Sequence, residues 1–331
     1  MGVGVRKKSS YRSMRLVTFE EYLEYVKSHG YVRIEDEVIP VGRPHEIRYY
    51  QPGGFVLERS SVWSFPERGD WATHRGDYRG NWAPQIPRNL ILRYSRPGEL
   101  VLDPMCGGGT TLVEAKLLGR NAIGVDINYE AVILTLDRLN FTYKPLDPGY
   151  REPVIKVYHG DARNLDLIED ESVDLVATHP PYANIIRYSK GEKIEGDLSR
   201  VSSLEEYLEG IHEIASEIYR VLKPGRYAAI LIGDTRKNRH YIPIAFRVMQ
   251  QFLDVGFILK EDIIKIQWNT KVTGEKWAGL AKTAEECWVE KPQNKRHWTD
   301  FYLIAHEHLF IFRKPNKDEK IERYRYSIKW W

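Results

Sequence analysis

From about residue 90 the chain alternates two kinds of apolar pattern. Short unbroken runs, LVLDP (100–104), NAIGVDI (121–127), Ile155–Tyr158, Val173–Thr178 and Tyr227–Ile232, have the length and composition of strands buried on both faces. Between them apolar residues recur at helical spacing. One such helix runs through Leu118 to a stop at Gly119, and another covers Glu130–Leu139. A third has its apolar face at Leu204, Tyr207, Leu208, Ile211, Ile214, Ile218 and Leu222; Ser203 with Glu206 forms a capping box at its start, and Lys-Pro-Gly (223–225) stops it. Ile244–Leu253 reads as a further helix, and Phe257–Trp268 and Glu307–Arg313 as two last strands. Such alternation predicts an α/β fold, a mostly parallel sheet with helices on both faces and ligands bound at the carboxyl ends of its strands. Before it, Phe19–Ser28 reads as a short amphipathic helix within an N-terminal extension, residues 1–61. The main domain spans 62–315. Three segments break its rhythm: 184–202, expected to be a mobile lid; 269–300, an insertion; and 316–331, a basic and aromatic tail.

Composition narrows the function classes. Hydrophobic residues at 42% and charged residues at 29% fit a soluble globular protein, and no run is apolar enough for a membrane span or a secretory signal, so the expected location is the cytoplasm. Two cysteines are too few for a disulfide framework or a structural zinc site, and no metal is expected. A net charge of +3 confines any nucleic-acid footprint to local patches. Abundant charge with few Cys and Met is a thermophile-like composition.

The segment DPMCGGGTT (103–111) follows a strand and opens a helix, the setting of a nucleotide-binding turn. Asp126, at the end of the next strand, stands where an acid accepts from both ribose hydroxyls, in NAD and S-adenosylmethionine sites alike. Two features favour S-adenosylmethionine. Asp103 precedes the glycines, where it can face the cationic methionine end, and HGDAR (159–163) places Asp161 to accept from an adenine amino group; as a plain turn, Asp161 would only cap a helix.

The tetrapeptide HPPY (179–182) closes the fourth strand. With DPMCGGGTT, close to the pattern DPxxGxGTT, and with NWAPQIPRNLILRYSRPGELVLDP (81–104) upstream, it resembles the N4-cytosine and N6-adenine amino-methyltransferases over about residues 62–315. The resemblance implies a Rossmann-like class I methyltransferase fold, a seven-stranded mostly parallel sheet with an antiparallel last strand. It implies S-adenosylmethionine held by Trp82, Pro84 and Gln85 of the flanking segment, by Asp103, Pro104, Cys106, Gly107, Gly109, Thr110 and Thr111, and by Asp126, Ile127, Asp161 and Ala162. His179, Pro180, Pro181 and Tyr182 are then catalytic.

The chemistry accounts for these residue types. The lone pair of an exocyclic amine is conjugated with the base. Acceptors at the side chain of residue 179 and the carbonyl of Pro180 would hold the nitrogen toward tetrahedral geometry. Tyr182 would stack on a base flipped out of its helix. The family carries Ser, Asp or Asn where this chain has His179, whose neutral ring offers one acceptor nitrogen, as hydrogen-bond acceptor or as base; the other reading has it merely end a strand. Ser in that place tends to go with cytosine and Asp or Asn with adenine; the rest of the arrangement favours cytosine.

No long segment serves as a recognition domain, which favours a structured RNA, ribosomal RNA included, over DNA. Candidate contacts to nucleic acid are Arg75 and Arg79 by the cofactor mouth, Arg187 in the lid, and Lys271, Lys276 and Arg296 in the insertion. The tail RYRYSIKWW (323–331) suits stacking on bases or docking back on the domain. A nicotinamide oxidoreductase leaves HPPY unexplained. A protein glutamine-amide methyltransferase and a non-catalytic RNA-binding module remain as alternatives.

Overall fold

The structure is a computed structural model of the 331-residue chain; it describes residues 11–34, 37–78, 80–146, 149–181, 196–201, 203–238, 240–268 and 301–328. In chain order the elements are β1 (Arg15–Val17), α1 (Phe19–Ser28), β2 (Tyr31–Ile34), β3 (Glu37–Pro40), β4 (Val62–Ser64), α2 (Gln85–Tyr94), β5 (Leu100–Asp103), α3 (Thr110–Leu117), β6 (Asn121–Asp126) and α4 (Tyr129–Leu139). There follow β7 (Ile155–His159), β8 (Val173–Thr178), α5 (Leu204–Val221), β9 (Leu222–Ile232), β10 (Thr235–Lys237), β11 (His240–Ile242), α6 (Ile244–Val255), β12 (Ile258–Ile266) and β13 (His306–Arg313).

The main sheet runs β1-β7-β6-β5-β8-β9-β13-β12-β4. Its middle seven strands are the expected ones, and the last of them in sequence, β13, is antiparallel to both neighbours. Among the described residues the sheet has nine strands rather than seven because the region before α2 supplies both edges: β1 pairs antiparallel with β7, and β4 pairs parallel with β12. A sheet edge exposes a row of unpaired backbone donors and acceptors, and these three-residue strands satisfy part of it. The same region adds the β2–β3 hairpin, whose Val32, Ile34 and Ile39 pack with Val17 and Tyr22 against α4 residues Ala131, Val132 and Leu134.

Strand residues alternate between two buried layers. Leu102, Val125, Val176, Ile230, Phe310 and Phe312 join α5 and α6, while Val101, Ala122, Val157 and Leu175 face α3 and α4. Ala177, Ala229, Leu231, Ile263, Leu309 and Ile311 pack under Trp82 and α2 residues Ile86 and Leu90. Burial on both sides is why these strands read as continuous apolar runs. Caps set the helix starts: Thr18, Asn128 and Ser203 accept from the backbone of Glu21, Glu130 and Glu206.

Two expectations shift. Helix α5 ends at Val221, and Lys-Pro-Gly lies within β9, where the pairing with β8 is irregular and Gly225 takes φ 77°. The described part of the tail docks on the domain: the Leu259 amide donates to Ser327 O at 2.8 Å, and Glu319 accepts from both Arg313 amino groups at 2.7 and 2.8 Å. The insertion 269–300, most of the expected lid, and Trp330 and Trp331 lie outside the described residues. The end of the lid segment is anchored, with Leu198 buried among the α5 residues. Among the described residues no helix is long and apolar enough to cross a membrane.

Candidate active site

The first layer of the site is the turn between β5 and α3. Gly107 at φ 50° and Gly109 at φ 78° take a backbone path that disfavours any side chain. Asp103 closes β5, buried, and accepts from Thr111 Oγ1 at 2.6 Å, Thr178 Oγ1 at 2.7 Å and the Met105 amide at 3.2 Å. Asp126 closes β6 and accepts from the Gly107 amide at 2.8 Å and the Asn128 amide at 2.9 Å. Every one of these donors is neutral, and among the described residues neither acid pairs with a cation. Desolvation therefore dominates, and both carboxyls are pushed up to about 6. Two acids on a glycine cradle, their charge uncompensated by the described residues, fit a ligand that is cationic at one end and carries hydroxyls at the other.

The other expected cofactor residues divide by what their side chains do. Cys106 points into the core toward Thr135, 3.9 Å away, and burial pushes its thiol up, so only its backbone belongs to the turn. Pro104 is buried, and the Ala162 methyl packs in the main core. The Thr110 hydroxyl is held by Asn81, which ties the turn to the flanking segment. Pro84 begins α2, while the Gln85 amide is committed elsewhere: it accepts from the Gly69 amide at 3.2 Å and donates to Glu67 O at 2.8 Å. Gln85 thus braces the 67–69 loop.

Two covers overlie the cradle. The Tyr78 ring lies so close to Gly107 that a Cβ there would stand 2.9 Å from it. Arg138 donates to Gly108 O at 3.0 Å and pairs with Asp77, fixing the same segment. At the far side Asp161 is clasped by Arg163, which donates to it from its amide at 2.9 Å, from Nε at 2.9 Å and from an amino group at 2.6 Å. Arg163 also lies 4.2 Å from the Tyr11 ring centroid and bonds Gly196 O at 2.8 Å, and Gly196, at φ 88°, sits against Asp161 and half-buried Ile127. A carboxylate has about four acceptor sites, and Arg163 takes three on Asp161. One is left for the adenine amino group expected there.

The second layer is the end of β8. Thr178 gives its hydroxyl to Asp103, so the next residue, His179, begins directly beside the cradle. The His179 ring stacks on buried Trp82, centroids 6.0 Å apart and 24° between planes. Burial holds its pKa below the ordinary imidazole value; the Glu307 carboxylate and the Gly80 backbone oppose this, and Lys265 adds to it. The ring is therefore neutral near pH 7. Pro180 is buried, and the Pro181 carbonyl accepts from Tyr207 Oη at 3.0 Å. Tyr207 has a core position on α5, and nothing in its helical spacing announced this second use. Tyr182 lies outside the described residues, as do Arg79, Arg187, Lys271, Lys276 and Arg296. Arg75 is exposed, and its carbonyl accepts from Arg68 and Asn81. His308 packs between Phe246 and Phe310 with its ring toward Asp262, and among the described residues no cluster of metal-type ligands occurs.

A family model described as DNA methylase matches residues 7–136 and 173–330, most of the chain. The chain belongs to the DNA methylase family. S-adenosylmethionine is the cofactor that the family's glycine cradle serves. The tRNA (guanine(10)-N2)-dimethyltransferase of Methanothermobacter thermautotrophicus is 33% identical over 141 residues, covering 42% of this chain and 37% of the relative. That of Methanocaldococcus jannaschii is 34% identical, covering 51% of this chain and 52% of the relative. The type II methyltransferase M.MjaI of the same organism is 33% identical, covering 52% and 60%. This DNA methylase family member thus spans between 37% and 60% of the length of those relatives. Among solved structures, a SAM-dependent methyltransferase of Methanosarcina mazei aligns with 16% identity and a TM-score of 0.42, covering 69% of this chain and 97% of that one.

Proposed function

We propose that the chain transfers a methyl group from S-adenosylmethionine to the exocyclic amino group of a nucleic-acid base, and that this group is N4 of cytosine in a structured RNA such as ribosomal RNA. One observation carries the reading: Thr178 bonds Asp103 across the strand ends, so that the His-Pro-Pro turn and the cofactor cradle share a hydrogen bond. When bound, S-adenosylmethionine supplies an electrophilic methyl group on a positively charged sulfur. Asp103 offers that charge a buried carboxylate, and Asp126 offers the ribose two acceptor oxygens. Neutral His179 accepts one amino proton and the Pro180 carbonyl the other, which directs the nitrogen lone pair at the methyl carbon. Tyr207 holds the turn by the Pro181 carbonyl, and His179 takes up the proton lost after transfer.

RNA as the substrate is supported by two relatives with tRNA in their names and by a charge too small for a general DNA-coating surface. A second reading, methylation of N4 of cytosine or N6 of adenine in DNA, is favoured by the family's own description and by M.MjaI. Incubation with isotope-labelled methyl donor and either total RNA or unmethylated DNA, followed by nucleoside mass spectrometry, separates them. Label in N4-methylcytidine from RNA is expected. Label on guanine N2 would keep the mechanism and change the base, and label in DNA alone would select the second reading. His179→Ala should lower transfer by about 10²- to 10⁴-fold, the range of a lost general base, while cofactor binding persists. Label in neither polymer would bring forward a protein-amide substrate.

A further inference from the structure

The carboxyl ends of the parallel strands carry a second feature beside the His-Pro-Pro turn. In the β8–β9 register Thr178 pairs with Ile230, so the turn leaves β8 while β9 continues through Leu231 and Ile232. Beyond that end the chain enters the β10–β11 hairpin, residues 235–242. Strand β13 is antiparallel to β9, with His308 opposite Ile232, so the residues that precede β13 extend past the same end of the sheet. The hairpin, the segment 301–305 and the His-Pro-Pro turn therefore share the end of the sheet at which ligands bind.

The hairpin is sorted by charge. At its root the Asp234 side chain is buried, accepting from the Ala245 amide at 2.7 Å and from Tyr241 Oη. Toward its tip Lys237 is exposed, with no carboxylate partner among the described residues. Between them Arg236 stands opposite Tyr241 in the register. Its guanidinium lies 5.6 Å from the Tyr241 ring centroid and 5.1 Å from that of Phe301, and donates to the Tyr302 carbonyl at 2.9 Å. Arg236 thus joins the hairpin to the 301–302 segment as one surface. It pins the backbone of Tyr302, yet Tyr302 is 90% exposed and Tyr241 39%. An aromatic ring held out in water on a pinned backbone buries nothing for the fold. Beside a cation, its chemistry is that of a stacking platform with an adjacent phosphate contact.

We propose that the β10–β11 hairpin and residues 301–302 form a contact surface for the nucleic-acid strand that flanks the target base: Tyr302 stacks on a neighbouring base, and Lys237 meets a phosphate of the same unpaired stretch. Arg236 holds the platform in place. A base that leaves its helix to reach the His-Pro-Pro turn draws its neighbours over this end of the sheet, unstacked and in need of a partner. Every base has a π-face, so the surface takes an RNA or a DNA strand by the same chemistry. The inference rests on the reading of the substrate as a nucleic acid.

The test is equilibrium binding, without methyl donor, of two single-stranded oligonucleotides of mixed sequence, one RNA and one DNA, over a series of salt concentrations. Tyr302→Ala should weaken binding about fivefold or more at every salt concentration, the loss of one stacked base. Lys237→Gln should flatten the dependence of log affinity on log salt by about 0.7, the share of one phosphate on a single strand. Lys156→Gln makes the same charge change at an exposed position near the amino end of β7, and should leave that slope as it is. Affinity for S-adenosylmethionine should be unchanged in all three. The oligonucleotide that the native chain binds more tightly identifies the polymer. Native binding that neither Tyr302→Ala nor Lys237→Gln weakens, or that Lys156→Gln weakens equally, overturns the surface and leaves the nucleic-acid reading standing. Absence of binding overturns the surface too, and methylation of the polymers then decides the functional reading by itself.

Discussion

Two sets of carboxylates in this protein behave oppositely. Glu114 is fully buried on α3, where Arg88 at 2.9 Å balances its charge and Trp71 Nε1 at 2.6 Å and His74 Nε2 at 2.7 Å donate to it. Asp103 and Asp126, on the two strands that flank α3, are met among the described residues only by hydroxyls and amides, and both carboxyls are pushed up to about 6. The balanced acid belongs to a network that fastens the 71–88 segment to the domain. The unbalanced pair stores a demand for positive charge that folding alone does not meet.

The comparison can be broken at four points. The largest effect is expected on the balanced side: Glu114→Ala leaves Arg88 buried without its partner and should cost about 3–5 kcal/mol of stability, read as a lowered denaturation midpoint, with cofactor affinity of the folded fraction unchanged. On the other side, Asp126→Ala should leave the melting temperature nearly intact and weaken S-adenosylmethionine about a hundredfold by calorimetry, the size of two charge-assisted hydrogen bonds. A loss of fold instead would place Asp126 in the structural class.

A third effect concerns pH. The ordinary aspartate value is 3.8, and both acids titrate near 6 in the fold. A raised folded-state value means that their contribution to stability is present below the ordinary value and is lost as pH rises through about 6. A cationic ligand reverses the preference, so cofactor binding should release protons and tighten by about tenfold between roughly pH 5 and pH 7. Calorimetry in two buffers of different ionisation enthalpy measures the released protons; pH-independent affinity would show that neither acid meets the cationic end. The smallest effect is Tyr207→Phe, which strips the Pro181 carbonyl of its donor. A loss of about 1 kcal/mol, some fivefold in transfer rate, is expected with unchanged cofactor affinity.

How much of this was legible in the chain follows from distance along it. The strands of the cradle, the turn residues Gly107 and Gly109 and the cap at Ser203 are local features, written in windows of a few residues. The edge strands Arg15–Val17 and Val62–Ser64 were not, because three residues carry no periodicity and their partners lie far downstream. The same holds for the bond from Tyr207 to Pro181: the residue reads locally as an ordinary helix position, and only the packing of α5 beneath the strand ends brings it to the turn. Gln85 carries another such contact: its amide spans to the 67–69 loop, which its place at the start of α2 does not announce.

The two edge strands also bear on how the molecule is made. A ribosome delivers β4 well before the strand that it pairs with, β12, which lies some two hundred residues further on. Until then β4 has nothing to zip against, and a half-made sheet has a bare margin on which another nascent chain can add. Closure of the sheet is thus a late, long-range event, of the kind that slows folding. It doubles as a check on synthesis: the margin next to β12 is sealed only after both β4 and β12 have been made.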